Sequence, residues 1–185
     1  MVHDGAKLRQ LNISFRPADI GDAQAIADCH VKVWKHTYKE LAPAEVHATL
    51  DERHRGEKWR EKLGSDNDPD QLVLIAMCSD RIVGIGAAGR PSERIFSERG
   101  EIKYLYVDPD FKRRGIGREL LARLARHLKM RKYEAAALSV VKGNQSAIAF
   151  YEALEGRYLG DFIDPGPVWR SHNLVYVWDD ITKLT

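Results

Sequence analysis

Hydrophobic and polar positions follow two rhythms along the chain, and each rhythm predicts one kind of element. Short apolar runs bounded by turn residues predict strands at 12–16, 71–78, 81–88, 101–107, 134–141, 157–162 and 174–178. Apolar residues that recur every three or four positions predict helices at 20–37, 44–50, 53–63, 116–128 and 146–154. Strands that first follow one another and then alternate with helices predict an α/β fold. Its sheet is mixed, with six or seven strands and helices on both faces.

One stretch, 105–121, combines a strand, a turn, a glycine-containing loop and a helix. The strand stops at Asp108-Pro109, and Lys112-Arg113-Arg114-Gly115-Ile116-Gly117 leads into a helix with leucines on one face. The first turn of a helix has backbone N–H groups without intrahelical partners, at the positive end of the helix dipole. Glycine lets a ligand approach that backbone closely. This stretch suits an anion such as a diphosphate, although the two glycines alone could equally form an ordinary turn.

Two segments resemble signatures of one enzyme superfamily. The loop at 112–117 resembles the Gln/Arg-x-x-Gly-x-Gly/Ala segment of the GCN5-related N-acetyltransferase (GNAT) superfamily. Further along, Asn144-Gln145-Ser146-Ala147-Ile148-Ala149-Phe150-Tyr151-Glu152 resembles its second signature, Asn-x-x-Ala-x-x-Phe-Tyr-Glu. The resemblance extends from about residue 12 to residue 178. Lys112 departs from this pattern, since the family usually has Gln or Arg at its position. A lysine keeps the charge of Arg but loses its planar hydrogen bonding.

This resemblance implies a single N-acetyltransferase domain over 12–185, preceded by a flexible lead-in at 1–11. It implies the GNAT fold, a bent mixed sheet whose two central strands splay apart to admit acetyl-CoA. Those strands are 101–107 and 134–141. The implied reaction is acetyl transfer from acetyl-CoA to a primary amine, by direct attack in a ternary complex.

The resemblance also implies roles for individual residues. Glu101 would be the general base, since an amine with a pKa of about 10 must lose a proton before it attacks. Tyr151 would be the general acid near the CoA sulfur, and a backbone N–H near Val107 would polarise the thioester carbonyl. Asn144 would contact the pantetheine arm. The cofactor-binding set is Leu105, Tyr106, Val107, Lys112, Arg113, Arg114, Gly115, Ile116, Gly117, Arg118, Asn144 and Tyr151.

The residues by themselves leave simpler interpretations open. By periodicity Tyr151 would be a core residue, Asn144 a helix cap and Glu101 an exposed strand carboxylate. On the same fold, a regulator that binds acetyl-CoA without turnover is the alternative function. The basic face at 112–132 could bind a nucleic acid, but opposite a leucine stripe it is more typical of a solvated surface.

The acceptor is the least defined part of the prediction. The resemblance implies a pocket framed by 31–50, 142–143 and 161–172. Four acidic residues in these segments could attract a cationic amine or be plain surface: Glu40, Glu45, Asp161 and Asp164. A small amine metabolite, an amine antibiotic and a protein N-terminus all remain open as acceptors, and the protein could be a monomer or a homodimer.

Composition limits the partners and the cellular location that can be expected. The chain has 185 residues and a formal net charge of +2, so overall charge gives no argument for a nucleic-acid partner. Cys29 and Cys78 lie in apolar settings and are expected to be free thiols rather than a disulfide. No apolar run reaches transmembrane length and the first ten residues lack a signal-peptide core, which predicts a cytoplasmic protein without a membrane partner.

Two further patterns are expected to carry no site. Gly84-Ile85-Gly86-Ala87-Ala88-Gly89 matches a dinucleotide-binding pattern, but Arg90-Pro91 follows where that motif needs a helix. These small residues are therefore interpreted as part of a central strand. The histidines at 30, 36, 47 and 54 match no compact ligand spacing, so no metal is assigned.

Overall fold

The structure is a computed structural model that describes residues 12–65, 68–166 and 169–185. The predicted lead-in at 1–11 lies outside these residues. The described residues form one sheet of seven strands in the order β1-β2-β3-β4-β5-β7-β6. The strands are β1 (Ile13–Pro17), β2 (Leu72–Cys78), β3 (Arg81–Gly89), β4 (Gly100–Val107), β5 (Ala136–Val141), β6 (Arg157–Asp164) and β7 (Ser171–Trp178). Only β4 and β5 are parallel, and the other neighbours are antiparallel.

Helices cover both faces of this sheet. They are α1 (Ala23–Thr37), α2 (Ala44–Ala48), α3 (Glu52–Leu63), α4 (Ile116–Met130) and α5 (Gln145–Ala153). The predicted first helix begins as a 3-10 turn, Ile20–Asp22, before α1. Asp19 caps that turn, because its carboxylate accepts a hydrogen bond from the Gly21 N–H at 2.8 Å. The predicted α/β fold with a mixed sheet is confirmed.

The core is divided between the two faces. On one face, which we call the α4 face, α4 and α5 pack against the sheet, with the α4 leucines buried. On the other, the α1 face, α1 and α3 pack against β2, β3 and β4. Gly84 and Gly86 lie in β3 beneath α4. A Cβ added to Gly84 would lie 3.0 Å from Ile116, and one added to Gly86 would lie 2.9 Å from Leu124. The glycine-rich pattern is therefore a strand on which a helix packs closely, as interpreted from the sequence.

One buried residue in the segment between β3 and β4 was missed. The sequence predicts a polar loop there, but Arg94–Phe96 forms a 3-10 turn that buries Phe96. Its ring packs with Val175 and Val177 of β7 on the α1 face. A single apolar pair in a polar segment has no period, so the pattern gave no sign of this contact.

The central strands part soon after they meet. β4 and β5 pair only through Gly100 with Ala136 and Glu101 with Ala137. After these two pairs, no sheet hydrogen bonds join β4 to β5, so the C-terminal parts of the two strands border a gap. This is the separation of central strands that the resemblance implied.

A β-bulge changes which face the β4 side chains occupy. Ala87 pairs with Tyr104 while Ala88 pairs with Ile102, so Lys103 is the extra residue. Ile102 packs in the core of the α4 face, whereas Tyr104 packs against that of the α1 face. In a regular strand these two residues would share a face. The bulge therefore turns Tyr104 and Tyr106 toward α1 and α3.

Candidate active site

A cavity of about 480 Å³ occupies the gap between β4 and β5. It is lined from the α4 face by residues such as Ile116 and Phe150, and from the α1 face by Tyr38, Tyr104 and Tyr106. The cavity thus passes through the sheet. Eleven of the twelve predicted cofactor residues line it, and the exception is Arg114.

The loop that enters α4 has the geometry of an anion cradle. Gly115 precedes the helix with a φ of 86°, a left-handed conformation that side chains other than glycine rarely adopt. Gly117 differs, because an added Cβ would meet Val107 at 3.6 Å and Phe150 at 3.7 Å, which are ordinary contacts. No side chain caps the start of α4. Its first-turn N–H groups lack intrahelical partners by geometry, so the end of the helix can accept an anion.

The basic side chains beside the loop are not equivalent. Lys112 and Arg113 line the cavity. The Arg114 guanidinium instead lies 5.2 Å from the centre of the Phe111 ring and donates to the Asp110 carbonyl at 3.2 Å. The structure therefore does not bring Arg114 into the lining, and its predicted contact stays a prediction.

Asn144 both caps a helix and borders the cavity. Its side-chain oxygen accepts a hydrogen bond from the Ala147 N–H at 3.3 Å and so caps α5. It also lines the cavity. The simpler interpretation from the sequence, a helix cap, is thus compatible with a contact to a bound cofactor.

Tyr151 lies in the wall of the cavity on α5. Its ring packs edge-on against Trp178, and among the described residues its hydroxyl has no hydrogen-bond partner. Burial, and then the nearby Tyr38 hydroxyl, raise the pKa of Tyr151 well above its ordinary value. Burial also raises the pKa of Tyr38 to about 12. Both phenols therefore stay protonated at neutral pH and can act as hydrogen-bond donors.

Glu101 lies where β4 and β5 last pair, at the closed end of the gap. Its side chain is buried, and its Oε2 accepts a hydrogen bond from the Ser92 N–H at 2.8 Å. Burial raises the pKa of Glu101, and the Ser92 hydrogen bonds only partly offset this. Glu101 does not line the cavity, but Lys103 and Tyr104, farther along β4, do. A proton would reach Glu101 through water or a neighbouring group rather than by direct contact.

Comparison with known proteins decides the family. The family model described as "Acetyltransferase (GNAT) family" matches residues 32–156, which is more than half of the chain. The chain belongs to the GNAT acetyltransferase family. This membership confirms the predicted superfamily, the acyltransferase class and acetyl-CoA as the family's acetyl donor.

Individual relatives agree with this assignment. An uncharacterised N-acetyltransferase of Bacillus subtilis, YuaI, is 26% identical over 76% of this chain and 78% of its own. A [ribosomal protein bS18]-alanine N-acetyltransferase of Salmonella typhimurium is 30% identical over 57% of this chain and 68% of its own.

Solved structures show the same fold. The PaiA N-acetyltransferase of Thermoplasma acidophilum, in complex with coenzyme A, has a TM-score of 0.68 and 19% identity. The alignment covers 90% of this chain and 99% of that one. Salmonella typhimurium YncA, with acetyl-CoA, has a TM-score of 0.64 and 20% identity over 90% and 93% of the two chains. At these identities the likeness concerns the fold.

In this GNAT chain the α1 face of the cavity includes Tyr106, which the resemblance assigned to the cofactor, and Val33, Thr37 and Tyr38, which fall in the predicted acceptor frame at 31–50. Tyr104 and Ser139 also line it, and the sequence assigned neither to the site. Ser139 had a readable signal, because it is the one hydroxyl within the apolar run of β5. Tyr104 resembles a core position in the sequence, and only the bulge brings it to the cavity.

Next to this wall is a group of aromatic rings from His30, Trp59, Tyr104 and Tyr106. The Trp59 indole N–H donates to His30 Nδ1 at 3.1 Å, so the imidazole accepts on that nitrogen. Burial, and then the charge of Arg55, lower the pKa of His30 to about 3. His30 is thus a neutral residue of the core, and its ring lies 4.8 Å from that of Tyr106.

The four acidic candidates for amine attraction do not line the cavity. Glu40 and Glu45 are exposed, Asp161 pairs with His172, and Asp164 accepts from the Gly166 N–H at 2.8 Å. Within the described ranges, no group of His, Cys, Asp or Glu is placed to hold a metal ion. None of the helices described is long and apolar enough to cross a membrane.

Proposed function

We propose that this chain transfers the acetyl group of acetyl-CoA directly to a primary amine in a ternary complex. The observation that carries the proposal is the cavity that crosses the sheet, with the glycine cradle on one side and a tyrosine-lined wall on the other. Acetyl-CoA supplies the activated thioester. Its diphosphate would bind at the start of α4, and its pantetheine arm would lie between β4 and β5 beside Asn144.

The acceptor would enter from the α1 face, where Tyr38, Tyr104 and Tyr106 line the cavity. Glu101 would take the proton of the amine through water, and its raised pKa brings it closer to that of the amine. A backbone N–H near Val107 would polarise the thioester carbonyl. Tyr151 would donate a hydrogen bond to the departing sulfur.

Direct attack is favoured over a covalent enzyme intermediate. Neither cysteine lines the cavity. Burial, and then the charge of Asp108, raise the pKa of Cys29 to about 12, so its thiol stays protonated and is a poor nucleophile. No side chain on the wall thus offers a thiolate to accept the acetyl group.

The acceptor class stays broad at this level. A small-molecule amine and a protein amine are both compatible with the cavity. The Salmonella relative, whose name gives the alanine of a ribosomal protein as its acceptor, supports including a protein N-terminus among the candidates.

The experiment combines cofactor binding with an amine screen. Calorimetry should show acetyl-CoA binding to the parent, and a screen of amines should show CoA release. Gly117→Glu would place bulk and negative charge at the cradle, so we expect affinity for acetyl-CoA to fall at least about tenfold, or about 1.4 kcal/mol. Gly117→Ala is the matched control, because its Cβ meets only ordinary contacts and should change affinity far less.

The outcomes separate the candidate functions. Equal acetyl-CoA affinity in folded Gly117→Glu would show that the loop is only structural. Binding of acetyl-CoA without CoA release for any amine would favour the non-catalytic regulator. Salt-dependent binding of DNA or RNA that CoA does not displace would favour a nucleic-acid function.

A further inference from the structure

One face of α3 carries two basic side chains that lie over β4. Arg55, Trp59 and Lys62 are spaced by four and three positions, so they share one face of the helix. Trp59 is buried in the core, and its ring lies 5.2 Å from that of Tyr104. Arg55 and Lys62 flank it and are partly buried, whereas Arg53 and Lys58 on the same helix are exposed.

These two cations lack the partners that their neighbours have. Arg53 pairs with Glu57 at 3.8 Å and Lys58 with Glu61 at 3.0 Å. Within 12–65, 68–166 and 169–185, neither Arg55 nor Lys62 forms an ion pair with a carboxylate. Partly buried charges are usually paired, because burial removes part of their hydration and an opposite charge compensates for that loss.

The helix face that carries both cations lies beside a tyrosine that lines the cavity. The Lys62 ammonium is 5.8 Å from the centre of the Tyr104 ring. Arg55 lies one turn before Trp59, whose ring contacts Tyr104, and burial together with the charge of Arg55 lowers the pKa of His30. Arg55 and Lys62 themselves do not line the cavity, so an acceptor that reaches them from the cavity has to extend past Tyr104.

The nearby carboxylates are already engaged. Asp68 pairs with Lys103 at 3.2 Å, and Glu101 is held by the Ser92 N–H. An anion brought by a ligand would therefore find Arg55 and Lys62 available. An arginine guanidinium can hold a carboxylate through two parallel hydrogen bonds.

We propose that Arg55, assisted by Lys62, binds a carboxylate carried by the amine acceptor. The acceptor class is then an amine that also bears a carboxylate, as in a free amino acid or an acidic peptide. This inference rests on the proposed function, since it takes the α1 face as the acceptor side. It replaces the expectation of a purely cationic amine drawn to acidic residues.

The same two charges would select against cationic acceptors. A polyamine would be disfavoured, because each of its charges would meet like charges.

The test compares matched acceptors in binding and in turnover. Amino acids with free carboxylates, including β-alanine, are compared with their carboxamides, and spermidine represents cationic amines. An acidic peptide with a free N-terminus distinguishes the peptide source from the free amino acid. Calorimetry measures binding to the protein saturated with CoA, and CoA release from acetyl-CoA measures turnover.

We expect the parent to prefer carboxylates to carboxamides. Arg55→Gln should raise the Kd and KM of the preferred carboxylate about ten- to a hundredfold, while values for its carboxamide change little. Arg55→Lys should restore part of the preference. Arg53→Gln, an exposed position on the same helix, is the control and should change nothing.

The two proposals fail in different ways. Turnover of amines with no carboxylate preference, or a preference that Arg55→Gln leaves intact, would overturn this inference and leave acetyl transfer standing. Carboxylate binding that depends on Arg55 without any CoA release would support the site and contradict the transferase. A lower melting temperature in Arg55→Gln with an unchanged carboxylate-to-carboxamide ratio would assign Arg55 a structural role only.

Discussion

The two sides of the cavity are built from different materials. The proposed cofactor side presents backbone at its anion site, where Gly115 has a positive φ and no side chain caps the first turn of α4. The proposed acceptor side consists of side chains from α1 and β4, such as Tyr38 and Tyr104. A backbone cradle requires particular residues close together in the sequence, whereas a side-chain wall can be assembled from distant segments. The first is therefore readable as a motif and the second is not.

The largest effect is expected on the acceptor side, from Glu101. Glu101→Gln keeps the shape and can still accept the Ser92 hydrogen bond, but it cannot take a proton. We expect kcat/KM for the amine to fall by about two to four orders of magnitude, with acetyl-CoA affinity unchanged. The steady-state rate of CoA release, measured on the purified variant, checks this.

The pH profile sharpens that result. Because burial raises the pKa of Glu101, the parent's activity should rise with pH through a limb above the ordinary carboxyl range of about 4.3. The variant should lack this limb and recover partly at high pH, where the amine loses its proton unaided. Glu98→Gln, an exposed change of the same charge, is the control. A variant profile identical to the parent's would show that water or another carboxylate serves as the base.

A smaller effect is expected at Tyr151, where the two sides meet. A thiol such as that of cysteine has a pKa of about 8.5, far below that of an alcohol, so a thiolate leaves reasonably well without help. Burial raises the pKa of Tyr151, which weakens it as a proton donor and favours a hydrogen bond to the sulfur over full proton transfer. We expect Tyr151→Phe to lower turnover by about ten- to a hundredfold, measured by steady-state kinetics.

The melting temperature distinguishes this role from a structural one. The Tyr151 hydroxyl has no hydrogen-bond partner among the described residues, so its removal should change stability little. Tyr158→Phe, at a half-exposed position of β6, controls for loss of a phenol. Normal turnover with a shifted melting temperature would return Tyr151 to the core and leave the acid unassigned.

The fold and the cofactor side were largely predictable because their causes are local. The leucine period of α4, the apolar run of β5 and the glycine loop each lie within one short stretch. The boundaries differ mainly where strands continue into polar residues, as in β6, which extends to Asp164. Pairing with β7 holds those residues in the sheet, and a single strand's pattern does not show its partner.

The proposed acceptor side was predictable only in outline. The predicted frame at 31–50 does contain lining residues such as Tyr38, but Tyr104 was not predicted to line the cavity, for a different physical reason. One bulged residue in β4, Lys103, decides whether Tyr104 faces α4 or α1, and no residue type encodes that bulge. The acidic residues chosen from the sequence lie on the surface because their segments are exposed. Arg55 gives no signal in the sequence, because a basic residue in a charged helix is ordinarily solvated, and its partial burial depends on how α3 packs against the sheet.

The smallest effect is expected where the two sides are tied together. Asp108, directly after β4, is buried and accepts hydrogen bonds from Lys32 of α1 at 2.8 Å and from the Asp110 N–H at 3.0 Å. It also pairs with Arg81. Burial alone would raise the pKa of Asp108, but the bonds from Lys32, Asp110 and Arg81 outweigh it and leave the pKa below its ordinary value.

Asp108→Asn would turn an amide toward the two cations. Because Lys32 and Arg81 are about half exposed, solvent screens part of the loss. We expect unfolding free energy to fall by about 1–2 kcal/mol, which lowers the melting temperature by roughly 2–8 °C. Acetyl-CoA affinity should stay within about twofold, because the cradle depends on the α4 backbone. Asp110→Asn is the control, because Asp110 is exposed and its carboxylate pairs with Lys32 and with no other cation among the described residues.

The difference in melting temperature between the parent and Asp108→Asn should depend on pH. A carboxyl whose folded pKa is lowered contributes stability above the unfolded pKa of about 3.9, and this is lost as pH falls through the folded value. The melting temperatures of parent and Asp108→Asn should therefore differ most near neutral pH and converge below about pH 4. A difference that is constant with pH would mean that Asp108 acts through packing rather than charge. An equal loss of acetyl-CoA affinity and stability would mean that the two sides of the cavity are one cooperative unit.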